Sequence, residues 1–73
     1  MSIKEVEQAL GTFLLDFMNL RAAPGEQLVY SLSSMQRFEL LIFIEEEFKV
    51  VVDPPELEGA TVGTLAKIIA EKA

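Results

Sequence analysis

Residues 33–48 have the sequence SSMQRFELLIFIEEEF, in which two patterns of secondary structure compete. The run LLIFI at positions 40–44 is apolar on every side, and by itself it fits a buried strand as well as a helix. Glutamates stand before this run, at Glu39, and after it, at positions 45–47. These flanking charges favour a helix, which we predict to extend from position 35 to position 48.

Amphipathic helices are predicted on both sides of this segment. In residues 2–19, apolar side chains recur at spacings of three and four, the pattern of one helical face; they are Ile3, Val6, Leu10, Phe13, Leu14 and Phe17. Residues 62–72 show the same pattern, with Val62, Leu65, Ala66 and Ile69 on one face.

Serine or threonine precedes each of the three predicted helices, and these residues are preferred N-caps. Ser2 and Glu5 have the three-residue spacing of a capping box. Either Ser33 or Ser34 can cap the central helix, and Thr61 can cap the last one.

The connecting segments contain turn and helix-stop signals. Pro24-Gly25 predicts a turn, in a loop whose apolar positions 28–32 are expected to tuck onto the core. Positions 49–53, KVVVD, fit a short strand or an extended loop, but no second strand is available to pair with them. Pro54-Pro55 prevents a helix from running through, and residues 56–60 have room for one or two helical turns.

The predicted fold class is all-α, a small bundle of three main helices plus one short helix in a single domain over residues 1–73. The 73 residues are 51% apolar, which is enough for a packed core. The chain has no Cys and no His. It therefore has no disulfides, no zinc-thiolate site and no Ser-His or Cys-His nucleophile.

Charge limits the classes of partner. The net charge is −6, so the basic stripe needed to bind nucleic acid or an anionic membrane is missing. A basic protein surface is the expected partner, and a monomer the expected state. The longest apolar run, at 40–44, is too short to span a membrane, and the N-terminal sequence MSIKEVEQAL lacks the apolar core of a signal peptide. A cytoplasmic location is expected.

The excess negative charge is concentrated in one stretch. Residues 39–58 contain seven acidic side chains and one basic side chain, Lys49, whereas the remaining residues are balanced. Such a run fits either a solvated helix face or a docking surface for basic partners. A calcium loop is not indicated, because the spacing of oxygen ligands that it requires is missing.

Two faces of the central helix are predicted to be apolar. At about 100° per residue, one side has Leu40, Leu41, Ile44 and Phe48, which we expect to meet Phe13, Leu14 and Phe17 of the first helix and Leu65 and Ile69 of the last. The opposite side has Met35, Phe38 and Ile42, with Glu39, Glu45 and Glu46 on its flanks. We call Met35, Phe38 and Ile42 the α2 stripe, and we expect it to bind partners unless the loop over 20–32 buries it. Phe43 lies outside both faces.

A serine-rich junction, Ser31-Leu32-Ser33-Ser34-Met35, precedes the central helix. The unpaired N–H groups at a helix N-terminus can be capped by a serine hydroxyl, or they can stabilise a phosphate ester on it. Propensity alone favours capping. No acid-base pair for catalysis is evident, so an enzyme is not expected.

This junction and the helix after it resemble the acyl carrier protein family. In that family D-S-L opens the second helix, E-L follows and E-E-x-F closes it. Residues 34–48 keep the register of this pattern without a gap, with Met35 in place of the leucine. Residues 61–69, TVGTLAKII, are similar to the family's T-V-G-D-L-x-x-x-I entry to the last helix. The resemblance covers essentially the whole chain.

Two departures from the family pattern affect the expected site. The family's L-G-x-D-S-L corresponds here to YSLSSM at positions 30–35, with Ser33 in place of Asp. Ser34 is the expected attachment residue; Ser31 and Ser33 are alternatives, but either would break the register to Phe48. Gln36 and Arg37 stand where acidic or small residues are common, which points to dedicated partners rather than general fatty acid synthesis.

The resemblance implies a carrier without catalytic activity. A transferase using Mg²⁺ and coenzyme A would attach 4′-phosphopantetheine to Ser34. The thiol of this arm would hold acyl or aminoacyl groups as thioesters and present them to synthases or acyl-transferring enzymes of a dedicated lipid or secondary-metabolite pathway. The alternative is a carrier-like binding or assembly module that is not modified.

Overall fold

The computed structural model describes residues 1–23 and 25–73, and within these ranges every regular element is helical. Pro24, half of the predicted Pro24-Gly25 turn, lies outside the described residues. The elements are α1 (Ile3–Met18), a single 3₁₀ turn (Leu28–Tyr30), α2 (Ser34–Phe48), α3 (Pro54–Leu57) and α4 (Val62–Lys72). The expected small all-helical domain with three main helices and a short one is confirmed.

Side-chain caps determine where the helices begin. Ser2 and Glu5 form the predicted capping box of α1. Of the two candidate caps of α2 the structure selects Ser33, which forms a box with Gln36 and leaves Ser34 as the first helical residue. Thr61 caps α4 as expected.

Left-handed residues end the first two helices. Asn19 and Lys49 have φ values of 51° and 57°, a backbone conformation that usually selects glycine or asparagine. The Asn19 N–H still donates to the Leu15 carbonyl oxygen at 3.1 Å, and the Lys49 N–H donates to the Glu45 carbonyl oxygen at 3.0 Å. The chain therefore turns sharply away from α1 and α2 directly after their last residues.

One hydrophobic core joins all the elements, and α1 and α4 make the most extensive helix contact. The fully buried side chains of the three main helices are Val6, Leu10, Leu14, Leu40, Ile44, Leu65, Ala66 and Ile69. The loop before α2 contributes Leu28, Val29 and Leu32, as its apolar sequence predicts. Phe48 is also buried, so the core face predicted for α2 is confirmed apart from Leu41, which is only half-buried.

The prediction that Phe17 lies in the core is wrong. Its side chain is 78% exposed, and Ile3, at the other end of the apolar face of α1, is exposed as well. A helical wheel gives the direction of a side chain but not whether another element lies opposite it. At the last turn of α1, the aromatic neighbour of Phe17 is Phe13 of the same helix, which is itself half-buried.

The segment after α2 is extended and pairs with no strand among the described residues. Val50 and Val52 are buried and Val51 between them is exposed, the alternation of an extended chain. α3 then begins at Pro54, two residues before the predicted helical turns, and ends at Leu57. Proline is accepted at this first position because its missing N–H would have no partner in the helix.

Candidate functional site

Ser34 occupies the first position of α2 with its side chain exposed. Capping of the helix does not use its hydroxyl, because the Gln36 N–H donates to Ser33 Oγ at 3.1 Å and the Ser33 N–H donates to Gln36 Oε1 at 2.9 Å. Ser34 Oγ makes no hydrogen bond to another described residue. Its hydroxyl is therefore open to a reagent from solution.

The two alternative serines are already engaged. Ser31 Oγ donates to Glu26 Oε1 at 2.7 Å and is half-buried. Ser33 is exposed, but its hydroxyl is the cap of α2. The geometry thus separates Ser34 from Ser31 and Ser33, while attachment of a group to Ser34 stays a prediction.

Arg37 lies one helical turn after Ser34, a spacing that places two side chains on neighbouring positions of a helix surface. Its Nη2 donates to the Val29 carbonyl oxygen at 2.7 Å, and this bond ties the loop to α2. Arg37 Nε is buried without an acceptor among the described residues. From the sequence, Arg37 was identified only as a departure from the family pattern; its spacing from Ser34 was the signal that could have singled it out.

The donors around Ser34 fit a phosphodiester. The N-terminus of α2 supplies the positive end of a helix dipole, and the guanidinium of Arg37 adds a full positive charge one turn further along the helix. Next to Ser34 a hollow of about 210 Å³ opens between the start of α2 and α3. Its walls are mostly apolar, with one carboxylate, that of Glu58; the apolar residues are Val29, Phe38, Leu41, Pro54 and Leu57.

The α2 stripe is exposed to solvent. Met35, Phe38 and Ile42 are 73%, 65% and 40% exposed, so the described part of the loop over 20–32 does not bury them. The flanking carboxylates of Glu39, Glu45 and Glu46 are exposed too. Apolar side chains with a charged border, directly after Ser34, are suited to transient contacts, and partner binding there stays a prediction.

Phe43, which lay outside both predicted faces, packs against two other aromatic rings. Its ring stacks on Phe13 of α1, with centroids 4.0 Å apart, and meets Phe48 edge-on at 6.0 Å. Phe43 therefore contributes to the contact between α1 and α2. Periodicity within α2 could not reveal this role, because it depends on where α1 lies.

In the part of the chain that the structure describes, there is neither a candidate metal-binding cluster nor a candidate membrane-spanning helix. The acidic side chains there do not form a group of three or more that could hold a metal ion. None of the described helices has the length and apolarity needed to cross a membrane.

A scan of the chain against models of known protein families finds no match, and a search of curated proteins finds no relative. What the site does is therefore proposed from the residues of this chain and from the sequence pattern described above.

Proposed function

We propose that this protein is a non-catalytic acyl carrier, with a 4′-phosphopantetheine arm attached to Ser34. The observation that supports this best is the free, exposed hydroxyl of Ser34 at the first position of α2, beside a neighbour that does the capping. The sequence pattern of residues 34–48 supports the same assignment.

In the attachment step, Ser34 Oγ forms a new bond to phosphorus while the pyrophosphate bond of coenzyme A breaks. The adenosine 3′,5′-bisphosphate part leaves, and the hydroxyl proton passes to a base on the transferase, with Mg²⁺ on the pyrophosphate. The arm supplies a thiol, which can hold acyl or aminoacyl groups as thioesters. This explains how a chain without cysteine can take part in thiol chemistry.

The residues around Ser34 hold and present the attached group. The N–H groups at the start of α2 and the Arg37 guanidinium favour the negative charge of a phosphodiester. The α2 stripe, beginning one residue after Ser34, docks the transferase and the later enzymes. Its acidic flanks attract basic enzyme surfaces and speed association without requiring tight binding.

The pathway served is a dedicated one, in the cytoplasm, making a lipid, a polyketide or a peptide product. Gln36 and Arg37 occupy positions where carriers of general fatty acid synthesis often have acidic or small residues. A partner enzyme that recognises this chain must accommodate both side chains.

The test is the intact mass of the protein after incubation with a phosphopantetheinyl transferase, Mg²⁺ and coenzyme A. The wild-type protein gains the mass of one phosphopantetheine, and Ser34→Ala gains nothing. The matched variants Ser31→Ala and Ser33→Ala keep the gain. Modification that persists in Ser34→Ala would place the attachment site elsewhere.

A second function is favoured by one observation, the presence of Ser33 where the family has aspartate. The same fold would then act as a binding or assembly module without the arm. No mass gain with a panel of transferases, together with retained binding of a partner protein through the α2 stripe, would support this second function.

A further inference from the structure

Three stacked phenylalanine rings lie on the face shared by α1 and α2. Phe13 and Phe43 are stacked at a centroid distance of 4.0 Å with an interplanar angle of 13°. Phe17 extends the row, with its centroid 5.1 Å from that of Phe13. Phe13 and Phe43 are half-buried, but Phe17 is largely exposed. We call these three residues the aromatic ridge.

Two hollows of about 490 and 390 Å³ adjoin the aromatic ridge. Phe13, Phe43 and Glu47 line both of them. Every charged side chain that lines either hollow is acidic: Glu5 and Glu47 in the first, and Glu39, Glu46 and Glu47 in the second. Among the described residues, no lysine or arginine compensates these charges inside the hollows. The ridge is therefore an exposed aromatic surface within a negatively charged border.

This combination selects one kind of partner. A cation is attracted to the face of an aromatic ring, and carboxylates beside the ring pair with the same cation. The planar guanidinium of arginine makes both contacts at once, because it stacks on rings and bonds carboxylates in a bidentate way. Nucleic acid and anionic membranes would be repelled, and a second copy of this chain would present the same acidic border.

We propose that the aromatic ridge docks an arginine-bearing segment of a partner protein, with a guanidinium on the Phe17 ring and its charge neutralised by Glu47. Met35 and Phe38 of the α2 stripe line neither hollow, so most of the stripe and Ser34 stay free while the ridge is occupied. The proposal holds whether or not Ser34 is modified, because no group on Ser34 takes part in it.

The test is a titration of the ¹⁵N-labelled protein with hexa-arginine amide and, separately, with hexa-lysine amide, followed by NMR at low salt. Both peptides have the same charge, but only the first has guanidinium groups. We expect tighter binding of hexa-arginine, with the largest shift changes around Phe13, Phe17 and Glu47. Phe17→Ser should weaken hexa-arginine binding about two- to five-fold and remove the preference over hexa-lysine.

Matched variants separate the ridge from general effects of charge and aromatic content. Tyr30→Ser removes another exposed aromatic ring, one that lines neither hollow, and should leave the arginine preference unchanged. Glu47→Gln should weaken the binding of both peptides more than Glu71→Gln does, although Glu71→Gln removes an equal charge from α4. The circular dichroism of Phe17→Ser should match that of the wild type, because the side chain is exposed.

Any of the following results would overturn the proposal. The first is equal affinity of the wild-type protein for the two peptides. The second is an arginine preference that survives in Phe17→Ser, or shift changes centred on Phe38. The third is a dimer of the free protein that Phe17→Ser dissociates, since a second copy of the chain would then be the occupant of the ridge.

Discussion

Ser33 and Ser34 are adjacent and chemically identical, yet their backbone positions give them different roles. Ser33 has an extended backbone with φ −69° and ψ 167°, from which its hydroxyl reaches the Gln36 N–H. Ser34 already has a helical backbone, so its hydroxyl takes no part in capping. The sequence predicted a cap at one of the two but could not choose between them, because both are followed by helix-compatible residues.

This division of roles predicts different effects on stability. Ser33→Ala should lower the free energy of unfolding by about 1 kcal/mol, the usual value of an N-cap. Ser34→Ala should change it by less than about 0.5 kcal/mol, as for exposed surface positions. Urea denaturation of both variants checks the prediction. A larger loss in Ser34→Ala than in Ser33→Ala would show that Ser34 is the cap.

Lys72 ties the end of α4 to the segment around α3. Its Nζ donates to Glu56 Oε1 at 2.7 Å and to the Val51 carbonyl oxygen at 3.0 Å. The hydrogen bond from Lys72, and next the one from the Asp53 N–H, hold the pKa of Glu56 below its ordinary value. A pKa lowered by folding means that the ionised carboxylate stabilises the native state. This contribution is present above the unfolded-state pKa and is lost as pH falls through the folded-state pKa.

The difference in unfolding free energy between the wild-type protein and Glu56→Gln should therefore depend on pH. We expect it to be constant near neutrality and to shrink as the pH falls below about 4.5, the ordinary pKa of the group. Urea denaturation at a series of pH values measures this difference. Glu71→Gln, which removes a carboxylate with no ion pair among the described residues, serves as the control. A difference that grows toward acid pH would contradict the assignment.

The helix α2 presents one face to the core and another to solvent, and single substitutions should distinguish them. Leu40→Ala or Ile44→Ala should cost about 2–5 kcal/mol of unfolding free energy, because both side chains are fully buried. Phe38→Ser and Ile42→Ser should cost less than about 1 kcal/mol while slowing modification by the transferase. Urea denaturation and loading rates give the two measurements. Strong destabilisation by Phe38→Ser would mean that the α2 stripe belongs to the core.

Local patterns in the sequence were enough to predict the helices and most of the core. Capping residues and apolar spacing located α1, α2 and α4, and they identified Leu40 and Ile44 as core positions. Phe17, in the last turn of α1, was wrongly predicted to be buried, since its burial depends on a neighbouring element that periodicity does not reveal. The bond from Arg37 to Val29 was missed for the same reason, because it depends on the path of the loop.

Charge is distributed unevenly over the molecule, and the net charge of −6 does not reveal this. Its longest dimension is 26 Å, whereas charges in physiological salt are screened beyond about 8 Å. A partner that approaches α2 and α3 therefore senses mainly residues 39–58, which contain the whole excess of negative charge. The remaining residues carry equal numbers of acidic and basic side chains.

Charge reversal on α2 should therefore affect association more than the same reversal elsewhere. Glu46→Lys should lower kcat/KM for loading by the transferase and weaken its dependence on salt, because fewer charges then steer the encounter. Glu71→Lys changes the net charge by the same amount but lies on α4, and it should have a much smaller effect. Loading rates at increasing salt concentration, with the fold checked by circular dichroism, measure both. Equal slowing by the two variants would show that net charge, and not the acidic face of α2, governs the encounter.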